Sequence, residues 1–169
     1  MSLIPIYREM AETGDNFQGL SILKHSDAIG RLVRAYKART VLDYGCGRGD
    51  AYHSPHKVYR QWGLKRPDVA LYDPAFGKHE ILPPRRFDAV LCSDVLEHIP
   101  EPDLDPFIAD LFNHAKKFVW ASVCCRPAKK TFPDGTNLHV TVAPFEWWQD
   151  RFKRLGRGGG IDFHLVETP

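Results

Sequence analysis

Three stretches of the sequence place acids and glycines where chemistry is possible. In the first, the apolar run Thr40-Val41-Leu42 is followed by Asp43, and then by glycines at alternate positions, Gly45, Gly47 and Gly49. The run reads as a buried strand. A glycine has no Cβ, so the backbone behind the strand can turn tightly and approach a ligand closely. In open α/β sheets, ligands bind in the crevice beyond the carboxyl ends of the strands. The spacing is G-x-G-x-G, with an acid two residues before the first glycine. A dinucleotide site instead reads G-x-G-x-x-G and places a pyrophosphate on a helix N-terminus. A carboxylate at this point repels a pyrophosphate and suits a cationic ligand.

In the second stretch, Val69-Ala70-Leu71-Tyr72 reads as another buried strand, and Asp73 ends it. An acid there can accept two hydrogen bonds from ribose hydroxyls; a plain turn acid before Pro74 is the alternative. In the third, the strand Phe87–Cys92 leads into Ser93-Asp94-Val95-Leu96-Glu97-His98-Ile99-Pro100.

These blocks carry a resemblance. V-L-D-Y-G-C-G-R-G looks like motif I of the class I S-adenosylmethionine-dependent methyltransferases. F-D-A-V-L-C-S-D-V-L-E-H-I-P resembles their post-strand motif, in the expected order. The resemblance implies an α/β fold: a Rossmann-like, doubly wound, mostly parallel sheet of six to seven strands with helices on both faces. The short stretch between Pro74 and Arg86 suggests a reduced form. It also implies S-adenosylmethionine as cofactor, a sulfonium with an ammonium group and no phosphate. The matching positions assign Asp43, Gly45, Gly47, Gly49, Asp73, Asp94, Val95 and Leu96 to cofactor binding, with Asp73 on the ribose and Asp94 to Leu96 on the methionine side. Phe76, His79 and Glu80 are candidates for the adenine.

The spacing from His139 to Trp147 resembles a segment of small-molecule methyltransferases in which the histidine nears the active site. His139 is therefore the first candidate base and His98 the second; Glu97 can take a proton or serve structure. The expected acceptor is an O or N atom of a small molecule or glycan. RNA or another nucleic acid, a cofactor-binding protein without transfer, and a nicotinamide dehydrogenase are the competing readings. The Asp/Asn-Pro-Pro-aromatic tetrapeptide of amino-methyltransferases is missing, and Cys92 is followed by Ser93 rather than preceded by proline. Both disfavour methylation of DNA bases.

Bulk properties narrow the field further. The 169 residues suit one domain, 1–169, with 1–25 as a segment that covers the substrate. Lysine plus arginine number 23 against 21 acids, too near balance to argue for nucleic acid. Cys46, Cys92, Cys124 and Cys125 lack zinc spacing, so no metal site is expected, and they read as reduced thiols in a cytoplasmic protein. No signal peptide and no membrane span are expected. The oligomeric state is left open.

The positioning elements follow from periodicity. Gly14 and Gly19 interrupt any long helix near the N-terminus, where Tyr7 and Phe17 form a lid or simply pack. A helix opens at Ser26, with Ile29, Leu32, Val33 and Tyr36 inward. A second is expected from Ser54 and Pro55 to Gly63; the longer loop before it places Tyr52 and His53 beside the pocket or on the surface. Ile81-Leu82 reads as a remnant strand. Asp105 and Pro106 open a helix with Phe107, Ile108, Leu111, Phe112 and Ala115 inward. The strand Phe118–Val123 and a polar loop, Cys124 to Asn137, follow. Arg126, Lys129 and Lys130 in that loop are a solvated patch or an anion contact. A helix from Pro144 turns Phe145, Trp148, Phe152 and Leu155 inward. It ends in a basic run, Arg151, Lys153, Arg154 and Arg157. Ile161 to Val166 reads as a closing strand, antiparallel at the edge.

Overall fold

Five short apolar runs become strands, and the helices between them determine how those strands pair. The computed structural model describes residues 3–13, 17–156 and 159–168, so Gly14, Arg157 and Gly158 lie outside the described residues. The strands are β1 (Val41–Tyr44), β2 (Val69–Tyr72), β3 (Phe87–Ser93), β4 (Ala115–Val123) and β5 (Asp162–Glu167). They form one sheet in the order β2-β1-β3-β4-β5, and every pair is parallel.

The α-helices are α1 (Ile4–Glu12), α2 (Ser26–Ala35), α3 (Glu101–His114) and α4 (Phe145–Leu155). Successive strand side chains point to opposite faces, which divides the core. Val41, Ala89, Leu91, Phe118 and Trp120 meet Ile29 and Val33 of α2 on one face. Leu42, Val90, Cys92, Val119 and Ala121 meet α3 and α4 on the other, through Leu104, Ile108, Leu111, Trp148 and Phe152. The result is the doubly wound α/β arrangement with helices on both faces, in a reduced form with five strands rather than six or seven.

Four expectations change. Ile81-Leu82 is not a strand among the described residues. Ile81 is 80% exposed, so β2 remains a four-residue edge. The edge is short enough to offer little template for unwanted pairing. The run after Ser54 is not an α-helix. Lys57 sits in the left-handed region at φ 47°, which breaks the helical path, and only a 3-10 turn at Val58–Arg60 forms. Its apolar residues still reach the core, with Val58, Tyr59 and Trp62 all buried beneath α2. The third helix starts a turn early, at Glu101, and carries Pro106 inside it. Glu101 and Asp103 suit its positive first turn. Asp105, expected to cap it, instead accepts from Arg151 and Arg154 and ties α3 to α4.

The fourth change is the direction of β5. It pairs with β4 in parallel, Phe118 opposite Asp162 through Val123 opposite Glu167. A helix between two neighbouring strands carries the chain back to its starting end, and α4 does that here. Ser26 opens α2 as its first residue and donates to Gln61 Oε1. Among the described residues no helix is long and apolar enough to cross a membrane.

Phe152 is fully buried and lies between the rings of Phe112 and Phe163, at 6.0 and 5.6 Å. Phe152→Ala should therefore cost about 3–5 kcal/mol in unfolding free energy, measured by urea denaturation. A loss below about 1 kcal/mol would mean that α4 does not pack as described.

Candidate active site

Strand order reverses between β1 and β3, because the chain runs from β1 to β2 on one side and then crosses to β3 on the other. The carboxyl ends of the strands open there into a cleft of about 780 Å³. Gly45, Gly47, Asp73, Asp94 and Val95 border it, as do Phe76 and His98. The N-terminal segment covers one side with Leu3, Ile4, Tyr7 and Ala11 of the α1 region, followed by Phe17 to Ser21. Tyr7 both packs and covers. Its ring meets Phe17 edge-on at 5.6 Å, and its hydroxyl donates to the His98 carbonyl at 3.1 Å.

The glycine bend is held from two sides. Gly45 and Cys46 donate to the Tyr72 carbonyl, at 2.7 and 3.1 Å. Gly47 donates to Asp73 Oδ2 at 2.8 Å, while Ala75 donates to Oδ1 at 2.9 Å. From the other side, Arg48 donates to the Phe17 carbonyl and Asp50 to that of Gln18. A Cβ on Gly47 would stand 2.2 Å from the Phe17 carbonyl oxygen, and one on Gly19 would stand 2.1 Å from that of Cys46. Two backbones meet here at a distance that only glycine permits.

Asp94 occupies the left-handed region at φ 54°, strained for a residue with a side chain. Hydroxyls hold it there. Ser122 Oγ and Thr168 Oγ1 each donate to Asp94 Oδ1 at 2.6 Å, and the Asp94 amide donates to Ser122 Oγ at 3.1 Å. Ser93 joins Ser122 at 3.2 Å and Ser21 at 3.1 Å, so the chain of hydroxyls reaches the N-terminal cover. Sequence reasoning missed Ser21, Ser122 and Thr168. The signal was there for one pair: Ser93 closes β3 and Ser122 is the last residue but one of β4, and the two pair in register.

Next to the cleft, Glu97, His98 and His139 form a cluster in which one ligating atom of each lies within 4.8 Å of the others. His98 Nδ1 faces the Leu138 carbonyl at 2.9 Å, and His139 Nδ1 faces the Arg126 carbonyl at 2.6 Å. The rings are edge-to-face, 5.0 Å apart. Glu97 Oε1 accepts from the Cys124 amide at 3.0 Å, while Oε2 is buried without a hydrogen-bond partner. Among the described residues that border the cleft, Asp73, Asp94 and Asp103 are acids and none is lysine or arginine. Arg126, Lys129 and Lys130 stand outside it. On α4, Arg151 and Arg154 pair with Asp105, and Lys153 pairs with Asp150.

A family profile described as "Methyltransferase domain" matches residues 20–156. The chain belongs to that methyltransferase family. It is also similar to a protein of Serratia proteamaculans (strain 568) named "Ubiquinone biosynthesis O-methyltransferase". The two are 28% identical over 131 residues, covering 60% of this chain and 54% of that protein. The chain thus spans about half the length of the curated relative it matches. No solved structure matches it. The parallel sheet and the cleft at its switch point agree with the class I methyltransferase fold.

Within this methyltransferase domain, three of the eight expected cofactor positions stand behind the cleft rather than on it. Leu96 is fully buried in the core on the α3 side, because the 3-10 turn Leu96–His98 rotates it inward. Gly49 abuts Leu71 and His79. Asp43 is 3% exposed and lies beside Tyr52, which is itself a core residue instead of a rim residue. His53 is on the surface. Of the adenine candidates, Phe76 borders the cleft, His79 stacks on Phe76, and Glu80 pairs with Arg8. Of the two base candidates, His98 borders the cleft, and His139 reaches it only through His98.

Burial shapes the protonation of this region. It pushes the Asp43 carboxyl up to about 7, partly offset by the Tyr52 hydroxyl and reinforced by Asp73. It raises Asp73 too, against the Ala75 and Gly47 amides. Glu97 is pushed up to about 8 by burial, and His98 down to about 4 by burial and then by His139. At neutral pH both members of the Glu97–His98 pair are therefore mainly uncharged.

Two measurements follow from this geometry. Gly47→Ala adds a clash with the Phe17 carbonyl to a φ of +55°, whereas Gly63→Ala, at φ +79°, meets nothing within 4 Å. Gly47→Ala should lose at least about 1–2 kcal/mol more than Gly63→Ala in urea unfolding, and equal losses would refute the close approach. Asp43 holds its proton more tightly folded than unfolded, since its value rises from 3.8 to about 7. Its contribution to stability is complete below the unfolded value and is lost as pH rises through the folded one. Across that window Asp43→Asn should gain on the native chain by up to about 1.4 kcal/mol per pH unit. Parallel stability curves for the two proteins would count against a buried, proton-holding Asp43.

Proposed function

We propose that this methyltransferase domain transfers a methyl group from S-adenosylmethionine to an oxygen of a small, largely apolar acceptor. The observation that carries the reading is the charge of the cleft: three carboxylates among apolar and uncharged polar groups, with no lysine or arginine among its described lining residues. Such a lining suits a cationic ligand without phosphate and opposes a pyrophosphate or an RNA backbone. The relative's name adds O-methylation to what this chain resembles.

On this reading Asp73 holds the ribose. Its two oxygens each spend one lone pair on a backbone amide and keep another for a hydroxyl. The Gly45–Gly47 backbone and Phe76 line the nucleoside end, and Asp94 and Val95 line the amino-acid end. Asp43, Gly49 and Leu96 act from behind, fixing the bend and the turn that carry those groups. When bound there, S-adenosylmethionine would supply a methyl group already activated on sulfur, with the electron pair of the S–C bond staying on sulfur.

The chain's own contribution is alignment, which is worth up to ~7–11 kcal/mol, and removal of the acceptor's proton. Leu3, Ile4 and Ala11, with Phe107 of α3, give the acceptor an apolar wall, so the described part of the first 25 residues covers the substrate on this reading. His98 brings the Glu97–His98–His139 cluster to the place where the proton must leave. Residues 1–169 are read as one such domain.

Calorimetric titration should show S-adenosylmethionine binding with micromolar affinity and no binding of NADH. Asp73→Ala should weaken S-adenosylmethionine at least ~10-fold while the sheet is kept, through loss of the ribose contact and loosening of the Gly47 turn together, and a panel of hydroxylated aromatic compounds should yield S-adenosylhomocysteine. Tighter binding of NADH, or equal cofactor affinity in Asp73→Ala, would overturn the reading. Cofactor binding without turnover on any acceptor would favour a binding protein instead.

A further inference from the structure

The cluster beside the cleft has the composition of a metal centre. We propose that Glu97, His98 and His139 are the ligands of a divalent transition cation of the zinc type, held at the cleft wall. The proposal rests on the methyltransferase reading only for what the cation would act on, not for its binding.

Three observations support it. One ligating atom from each residue lies within 4.8 Å of the other two. A tetrahedral centre with bonds of ~2.0–2.2 Å places its ligand atoms roughly 3.3–3.6 Å apart, so the cluster must tighten by about an ångström. His139 can provide that movement, since it lies in an irregular segment outside any helix or strand. Second, both imidazoles are oriented by their Nδ1 atoms. A backbone carbonyl only accepts, so the contacts with Leu138 and Arg126 put the proton on Nδ1 and leave the Nε2 lone pair unprotonated. Histidines that bind metals are held in this way, with the second nitrogen donating to a carbonyl or carboxylate. Third, Glu97 is 0% exposed and its Oε2 has no partner. A buried polar oxygen left unpaired is costly, and a cation supplies what it lacks.

The donor set selects the ion. Two imidazoles and one carboxylate suit Zn²⁺ and its first-row neighbours, whereas Mg²⁺ and Ca²⁺ favour oxygen. Three protein ligands are also the number found where a zinc ion keeps a position for water or substrate. His98 borders the cleft, so a cation on it adjoins the space assigned to the acceptor. Bound to such a cation, a hydroxyl releases its proton to water near neutral pH and leaves an oxygen anion that can take the methyl group.

The test uses the full chain, cleared of metal with a chelator and titrated calorimetrically with Zn²⁺, with Co²⁺ as a coloured substitute. One equivalent should bind, and Co²⁺ should show the visible bands of a four- or five-coordinate site. Glu97→Gln and His139→Ala should each weaken binding at least ~10-fold. His139→Ala lies outside the regular elements and covers the case in which the buried Glu97→Gln fails to fold. S-adenosylmethionine titrations run in parallel separate the two readings. Cofactor binding with no stoichiometric metal, or metal affinity unchanged in His139→Ala, would overturn the metal site. Metal binding that both variants lose, in a chain without cofactor affinity, would sustain the site and remove the methyltransferase reading.

Discussion

The site depends on two backbones touching. Gly47 and Gly19 bring the β1 turn and the N-terminal segment so close that neither position has room for a Cβ. Asp73 then fixes the turn from below, through the Gly47 amide. Without that double clamp, β1, β2 and the cover would each end in a loose loop, and the cleft would lose three of its walls at once. The glycines therefore act first on the protein itself. Any ligand enters a cradle whose shape already follows from this contact.

The same logic applies at the far end of the chain. β5 is parallel because α4 returns the chain to the starting end of the sheet, and that direction delivers Thr168 to the carboxyl ends of β3 and β4. There it helps hold Asp94 in a backbone conformation that L residues avoid. An antiparallel β5 would have ended at the opposite end of the strands and left Asp94 Oδ1 with Ser122 alone. The last residues described thus belong to the site as much as the motif does.

What the sequence revealed, and what it hid, follows from how local each cause was. Strands β1, β2 and β3 could be read because their apolar runs are short and an acid lies at or just past the end of each, whereas β4 begins at Ala115, inside the stripe expected for the preceding helix. The bend at Gly45 to Gly49 and the acid at Asp73 could be read because their spacing is fixed within a few residues. The helix expected after Ser54 failed because a single left-handed residue, Lys57, overrode a sound apolar pattern. The direction of β5 was misread because alternation in a strand says nothing about its partner. Asp43 and Leu96 look like contact residues by position, yet both turn into the core. Only the packing of Tyr52 and of α3 decides that.

The Glu97–His98–His139 cluster is the clearest case of chemistry that a linear reading cannot assemble. Glu97 and His98 are adjacent and His139 lies in a separate loop, so no ligand spacing appears along the chain. They meet because the Leu138 and Arg126 carbonyls orient both rings, and because the Thr141 amide binds the loop to the Glu97 carbonyl. Left to themselves, a buried carboxyl and a buried imidazole both settle in their uncharged forms, as burial dictates here. A pair in that state is poorly suited to take a proton from a hydroxyl, since His98 resists protonation and Glu97 already holds its proton.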